Sequence, residues 1–406
     1  MKSLKIIIKT VIIVGILLIS NSIAAFSQVS NQRTQASGLD SVRISLLTCG
    51  PHNEVYSLYG HTAIRYENPA QGIDVAVNYG MFSFSKPHFI LRFVFGLTDY
   101  EMGIVPFSAF CEEYRREGRK VIQQTLNIDN DSKVRIISAI EKNYEPQNRE
   151  YRYNYFYDNC TTRARDILVD NIEAAGHKVI YPEENYSSTF RKSIHFYNYD
   201  HPWARFGNDL LLGVMADRKI TSSERQFMPE QLEKDFASAR IDKRPLVEKT
   251  TVLLSQGPQA EESEFPFSPY MCSLFLFVFC SFIAGMEARY KKIFWGMDVA
   301  VMALSGLAGI ILFAMIFSQH PTVSLNLQIL IFSPLPLFFL WNTLKATREN
   351  KYPIWTTINA VLVGLFFIGG LFQNYAEGMY FVALSLLTRS ESHFVVYKMR
   401  KNSRHE

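Results

Sequence analysis

Five apolar runs crowd the last third of this chain and constrain its fold more than any other feature. They cover roughly Tyr270–Met286, Met297–Phe317, Leu327–Trp341, Trp355–Phe372 and Met379–Leu387. A spanning helix needs about 20 apolar residues, so the third and fifth runs are short. Pro334 and Pro336 predict a kinked or interrupted helix in the third. The fifth lengthens if Tyr375 and Ala376 join it. The charges between the runs alternate. Arg289, Lys291 and Lys292 fill the first loop, and none stands around Gln319 to Asn326. Lys345, Arg348 and Lys351 follow in the third loop, and none stands around Gln373 to Gly378. The tail carries Arg389, Lys398, Arg400, Lys401 and Arg404. With the preceding domain outside, that is the positive-inside pattern for five spans ending in the cytoplasm. In a soluble helical domain the alternation would be accidental.

The N-terminus reads as an export signal. Lys2, Lys5 and Lys9 precede a short apolar core, Val11 to Ile19. Ala25-Phe26-Ser27 then offers small residues at the two positions a signal peptidase reads. Cleavage before Gln28 is one reading and an uncleaved anchor the other; both export the next domain. The expected organisation is a signal peptide at 1–27, a periplasmic domain at 28–252, a linker at 253–268, a transmembrane domain at 269–390 and a cytoplasmic tail at 391–406. Across the whole chain, 48% hydrophobic and 20% charged residues look globular only because a polar part before Phe265 is averaged with an apolar part after it. The net charge of +4 is too small to argue for nucleic acid. Of the five cysteines, Cys49, Cys111 and Cys160 lie in the exported part. A Cys49–Cys111 bridge would leave one free thiol, although no spacing argument selects that pair. There is no CxxC or HExxH pattern, so no metal and no cofactor are expected.

Two segments carry candidate chemistry. In Ser57-Leu58-Tyr59-Gly60-His61-Thr62-Ala63-Ile64-Arg65-Tyr66, residues from Thr62 onward have strand character. Asn68-Pro69-Ala70-Gln71-Gly72 is a turn by composition, and Asp74 to Phe84 is a second strand. A hairpin centred near Pro69 and Ala70 sets His61 opposite Asn78 or Tyr79, so Asn78 can orient the imidazole; a slip of one residue removes this. In Tyr153-Asn154-Tyr155-Phe156-Tyr157-Asp158-Asn159-Cys160-Thr161-Thr162-Arg163 a helix is expected to start, capped by Asp158 or Asn159. Ala164, Ile167, Leu168 and Ile172 come next at helical spacing. Cys160 then sits in the first turn, where unpaired N–H groups and the dipole lower a thiol pKa and can hold an oxyanion. A strand-edge His and a helix-start Cys are the layout of thiol acyl transfer, with His61 as the base. A structural Cys and a structural His are the bland alternative. Glu54 and Tyr56 either line a pocket or pack ordinarily. Arg163 either binds a phosphate or faces water. His320, in Ser318-Gln319-His320-Pro321, either contacts head groups or is a solvated loop residue. Phe89, Phe93 and Phe95 either face a membrane or pack in a core.

Tyr59-Gly60-His61-Thr62-Ala63-Ile64-Arg65, Asn78-Tyr79-Gly80 with Phe82 and Phe84, and Asp158-Asn159-Cys160-Thr161-Thr162-Arg163 together resemble the periplasmic domain of the Lnb family of lipoprotein N-acyltransferases. The five apolar runs also resemble that family, so the likeness covers nearly the whole mature chain. The layout is similar to circularly permuted papain-like domains, in which His precedes Cys, as in NlpC-type peptidases and lecithin:retinol acyltransferase. The resemblance implies an α+β, circularly permuted papain-like exported domain followed by an all-α bundle of five transmembrane helices, in the inner membrane. It further implies acyl transfer from a membrane phospholipid, through a thioester on Cys160, to the amine of a diacylated lipoprotein. Cys160 would be the nucleophile, His61 the base and Asn78 the third member. Tyr79, Arg163, Glu54 and His320 are the substrate-binding candidates. The competing readings are an NlpC-type cysteine peptidase or amidase of the envelope and a non-catalytic assembly protein.

Overall fold

A computed structural model describes residues 39–82, 88–182, 187–259 and 265–402. The signal segment 1–27, the lead-in after it and Phe84 of the second motif lie outside the described residues. The chain divides into two units. One comprises the chain up to Pro87, Thr98–Ser187 and Thr221–Glu262; the other comprises His88–Leu97, Ser188–Ile220 and Ser263–Glu406.

The first unit is an antiparallel sheet with helices on both faces. Its strands are β1 (Arg43–Cys49), β2 (His61–Asn68), β3 (Ile73–Met81), β4 (Asp99–Pro106), β5 (Val121–Leu126), β6 (Glu150–Arg152), β7 (Val179–Ile180), β8 (Arg240–Ile241), β9 (Arg244–Pro245) and β10 (Val247–Leu254). Seven of them pair in the order β10-β5-β1-β2-β3-β4-β6, and β7-β8-β9 form a small separate sheet. Successive residues on a strand face opposite ways, so a strand covered on both faces reads as a continuous buried run. β1, with six of its seven residues buried, is such a strand. Ile44, Leu46, Ile64, Tyr66, Val77 and Tyr79 face one core, closed by Ala164, Leu168 and Ile172 of the helix Cys160–Ala174 and by Ile136 and Ile140 of the helix Asn130–Tyr144. Leu47, Cys49, Ala63 and Ala76 face the other, against Phe107, Phe110 and Tyr114. That second face also holds a polar cluster. Arg65 donates to both oxygens of Asp74 at 2.8 Å and to Gln123 Oε1 at 2.8 Å, with its guanidinium 3.6 Å from the Phe107 ring centre.

The second unit is helical. Pro269–Tyr290, Trp295–Met315 and Leu327–Arg348 are long and apolar enough to cross a membrane, and Ile354–Gly369 is a shorter apolar helix. The third is interrupted as its prolines predict. A short 3-10 turn at Leu327–Leu330 precedes the α-helix Leu335–Arg348, which has Pro334 as its cap and Pro336 in its first turn. The last helix runs from Met379 to Asn402, well past the end of its apolar run. Two residues of its polar half, Arg389 and His393, are buried by pairing. Arg389 donates to Glu287 Oε2 at 2.7 Å and to Asp298 Oδ1 at 2.8 Å, and His393 Nε2 lies 2.9 Å from Asp298 Oδ2. Ser392 also bonds Glu287. Three helices are therefore joined by charges too costly to bury alone. The segment Ser188–Ile220 is fixed to this unit by a second polar knot. The side chain of Arg191 is fully buried and donates to Asp209 and Asp217, Gln328 donates to the Asp209 carbonyl, and Asn374 donates to Asp217.

Candidate functional site

Two glycines shape the backbone around His61. Gly60 has a φ of 77°, where L side chains are strained, and a Cβ there would stand 2.6 Å from the Cys49 carbonyl oxygen. Only glycine lets the chain turn into β2 at this point. Gly80 has a φ of 82°, at a shift in the β3–β4 register between Asn78 and Met81. A Cβ on Gly80 would lie 3.6 Å from Cys160 Cβ and 3.3 Å from the Tyr153 ring. The bulge therefore clears room for the thiol and its aromatic neighbour.

The β2–β3 pairing sets Ala63, not His61, opposite Asn78. The expected register was displaced because the turn is a 3-10 turn at Pro69–Gln71 closed by Gly72, which adds residues to the hairpin. From the register with His61 opposite Asn78 the shift is two residues, so Asn78 stays on the same side as His61, as its diagonal neighbour; the register with Tyr79 opposite is off by one. His61 Nε2 lies 3.0 Å from Asn78 Oδ1. A carbonyl oxygen only accepts, so Nε2 carries a hydrogen and Nδ1 is left to exchange a proton.

Asn159 starts the Cys160 helix. Its Oδ1 accepts from the N–H groups of Thr161 and Thr162 at 2.9 Å, and Thr162 Oγ1 accepts from the Asn159 N–H, completing a capping box. Its Nδ2 donates to the carbonyls of Tyr155 and Phe227, each at 2.9 Å. Cys160 is the first helical residue and is half-buried. The first-turn N–H groups expected to hold an oxyanion are mostly spent on this cap. Among the described residues, the N–H of Cys160 itself is the first-turn donor the cap leaves uncommitted.

Burial works against a thiolate at Cys160. The charge of His61, its hydrogen bond to the thiol, the Thr62 N–H and the Thr161 hydroxyl outweigh it, and the pKa falls below the usual value. Reciprocally, burial works against the His61 cation, but the Cys160 charge and the hydrogen bonds His61 donates to Cys160 and Asn78 raise its pKa. Each group thus favours the charged form of the other. Thr62 Oγ1 and Thr161 Oγ1, 3.1 Å apart, hold the strand to the helix at this level. The nearby phenols of Tyr151 and Tyr153 are kept neutral by burial and by the Cys160 charge. The other thiols differ. All five cysteines are free, and burial pushes Cys49 up to about 12.

Residues 29–182 match the Lnb N-terminal periplasmic domain, and residues 260–401 match the Lnb transmembrane domain. The chain belongs to the Lnb family. No curated protein and no solved structure matches it. This Lnb protein is thus a membrane protein with a periplasmic N-terminal domain. Neither match reaches Phe227, whose carbonyl holds the Asn159 amide, or β10, which completes the sheet.

The remaining candidates are scattered. Tyr79 is packed in the core at 1% exposure, beside Tyr151, so its ring presents no surface to a substrate. Arg163 is committed to Asp158, at 2.6 and 2.8 Å, and covers the Tyr151 ring at 3.5 Å; a phosphate would have to displace that carboxylate. Glu54 is exposed on the turn leading to His61, and its carbonyl accepts from Ser57 and Leu58. Tyr56 beside it is exposed and meets Phe82 edge-on. His320 belongs to the helical unit, in the loop packed on Gly96. Sequence reasoning passed over Gly80, Thr62 and Tyr153. The glycine within a strand-like run was the available signal for a bulge.

Proposed function

We propose that this Lnb protein is an inner-membrane lipoprotein N-acyltransferase that moves an acyl chain from a phospholipid to the N-terminal amine of diacylglyceryl-cysteine lipoproteins. The observation that carries this reading is the coupled pair of Cys160, with its pKa lowered at a helix start, and His61, held by Asn78, in a protein with a transmembrane domain. His before Cys, a strand His and a helix-start Cys on an antiparallel sheet support a permuted papain-like domain. In the first step the Cys160 thiolate attacks the phospholipid ester carbonyl. The oxyanion is met by the Cys160 N–H, and collapse breaks the ester C–O bond as the His61 imidazolium protonates the departing alcohol. An acyl-thioester and a lysophospholipid result. In the second step the lipoprotein amine attacks the thioester, His61 takes the amine proton through Nδ1, and the Cys160 thiolate leaves. The amide product keeps the acyl chain, and the ion pair is restored without any redox change.

Both substrates are lipids, which gives the transmembrane half a use that a soluble peptide substrate would not. Among the candidates for substrate contact in the periplasmic unit, Glu54 and Tyr56 are the exposed ones. The test is mass spectrometry of lipoprotein N-termini from cells that lack their own N-acyltransferase and express this chain. A third acyl chain that appears with the wild type and vanishes with Cys160→Ala is expected. Diacylated lipoproteins alongside well-expressed wild-type protein would overturn the reading.

A further inference from the structure

The helical unit carries two segments from the exported half of the sequence, His88–Leu97 and Ser188–Ile220. In the second, the helix Pro202–Leu211 lays Phe206 and Leu210 onto the bundle's apolar core, formed by Ile331, Val363 and Phe366 among others. Their i, i+4 spacing defines its inner stripe. Trp203 flanks that stripe, with its ring edge-on to Phe206. Its ring meets Phe265 edge-on, and its Nε1 donates to the Phe267 carbonyl at 2.9 Å. Both phenylalanines stand just before the span Pro269–Tyr290, at its periplasmic end. Arg205 of the same helix reaches Glu377 at 2.9 Å, in the loop that starts the last helix. The first segment is bound at the end of the span Trp295–Met315, where the Gln319 N–H donates to the Phe95 carbonyl at 3.0 Å.

Large apolar side chains stay uncovered in both segments: Phe196 at 75% exposure, Tyr199 at 72%, Leu91 at 58% and Phe93 at 44%, with Phe265 at 59% next to Trp203. Water is a poor neighbour for so many large apolar groups. A membrane–water interface is a good one, especially for Trp and Tyr, whose rings have an apolar body and a polar edge. We propose that residues 88–97 and 196–206, with Phe265, form an interfacial collar that inserts Leu91, Phe93, Phe196, Tyr199 and Trp203 among the phospholipid head groups of the periplasmic leaflet. The occupant is the bilayer because ring contacts run from Trp203 through Phe265 and Phe267 to Phe275, which is exposed on the span Pro269–Tyr290. This inference rests on the transmembrane domain and not on acyl transfer.

The test places the full chain in phospholipid vesicles and reads tryptophan depth. In a variant with Trp295, Trp341 and Trp355 each changed to Phe, Trp203 is the sole emitter. Lipids brominated near the head group are expected to quench it more than lipids brominated near the chain ends. In the tryptophan-free background, Leu304→Trp, exposed half-way along the second span, supplies the opposite order as a reference. A photo-crosslinking phenylalanine analogue placed at Phe196 in the otherwise unchanged chain is expected to capture phospholipid, and this arm needs no tryptophan replacement. Trp203 quenched by neither lipid, or more strongly by the chain-end bromines, or a Phe196 probe that captures no lipid, would overturn the collar. None of these results bears on whether Cys160 is acylated.

Discussion

Replacing Asn159 with Asp keeps an acceptor for the Thr161 and Thr162 N–H groups but removes both amide donors. Asp caps helices about as well as Asn, so a residue that served only as a cap would tolerate the change. Here the amide also holds two carbonyls, of Tyr155 and of Phe227, each at 2.9 Å in a residue that is 5% exposed. A buried acceptor stripped of its donor costs about 1–3 kcal/mol, and a carboxylate facing two carbonyls adds repulsion. The two losses together come to about 2–6 kcal/mol, or roughly a 30- to 20,000-fold rise in the opening equilibrium of the periplasmic unit. The buried thiol of Cys49, at 1% exposure, is the reporter of that opening. Peptide-resolved alkylation of the full-length protein across a urea series gives the Cys49 midpoint. The same samples without urea give the rate at Cys160, expected to fall because a carboxylate beside it disfavours the thiolate. Asn159→Ala, which also loses the cap, should open about 1 kcal/mol more easily than a variant losing the donors alone. If Asn159→Asp exposes Cys49 at the wild-type urea concentration and leaves Cys160 alkylation unchanged, the argument for how Cys160 is placed fails.

Three further outcomes are expected. His61→Ala removes the charge and hydrogen bond that outweigh burial at Cys160, so the pH midpoint of Cys160 alkylation, below 9.0 in the wild type, should move upward; a midpoint that stays put would contradict the coupling of the two groups. His177 bonds Asp242 at 2.8 Å and Asp129 at 3.1 Å. Hydrogen bonds to the two carboxylates raise its pKa above 6.5. Against the burial cost, its own bonds to Ser132 and His177 hold Asp129 at about 2. The His177 contribution is full below 6.5 and is lost as pH rises through the raised value; that of Asp129 is full above 3.8 and is lost as pH falls toward 2. His177→Gln should therefore flatten the decline of the Cys49 urea midpoint as pH rises above 6.5, and an unchanged slope would refute the assignment. Arg389→Ala leaves Glu287 and Asp298 buried without their cation, and should destabilise the helical unit by about 3–5 kcal/mol in a detergent melt; wild-type melting would show that the cluster is hydrated.

The features legible in the sequence were those with a local physical cause. Apolar length marked the helices, and the prolines at 334 and 336 marked a break that does occur. The Asn before Cys160 announced a helix start, and strand-favouring residues on either side of a turn announced β2 and β3. Register was less legible because hydrophobic alternation fixes only the parity of a strand. Asn78 reached His61 in spite of a wrong pairing because the error from the register with Asn78 opposite was even. The outer charges of the last helix looked like a tail, yet Arg389 and His393 are buried, since their partners lie about a hundred residues earlier in the chain. No local pattern marks such a pair. The same holds for the Asn159–Phe227 bond, and for Ser188–Ile220, which reads as part of a soluble domain until Arg191, Asp209 and Asp217 are seen knotted to Gln328 and Asn374.

The choice of nucleophile shows what a count of cysteines leaves out. Cys49 pairs directly with His61 across β1 and β2, whereas Cys160 lies ninety-nine residues beyond that histidine. By strand register alone Cys49 is the closer thiol. It faces the core formed by Leu47, Ala63, Phe107 and Phe110, and burial pushes its pKa up to about 12, with the charge of Arg119 too weak an offset. It stays a neutral packing group at any physiological pH. Cys160 bears a desolvation cost as well, but it stands at a helix start, receives the Thr62 N–H and faces an imidazole whose other nitrogen is already fixed by Asn78. Reactivity at this site follows from which thiol has a cation and N–H groups turned toward it, and nearness to a histidine is not enough.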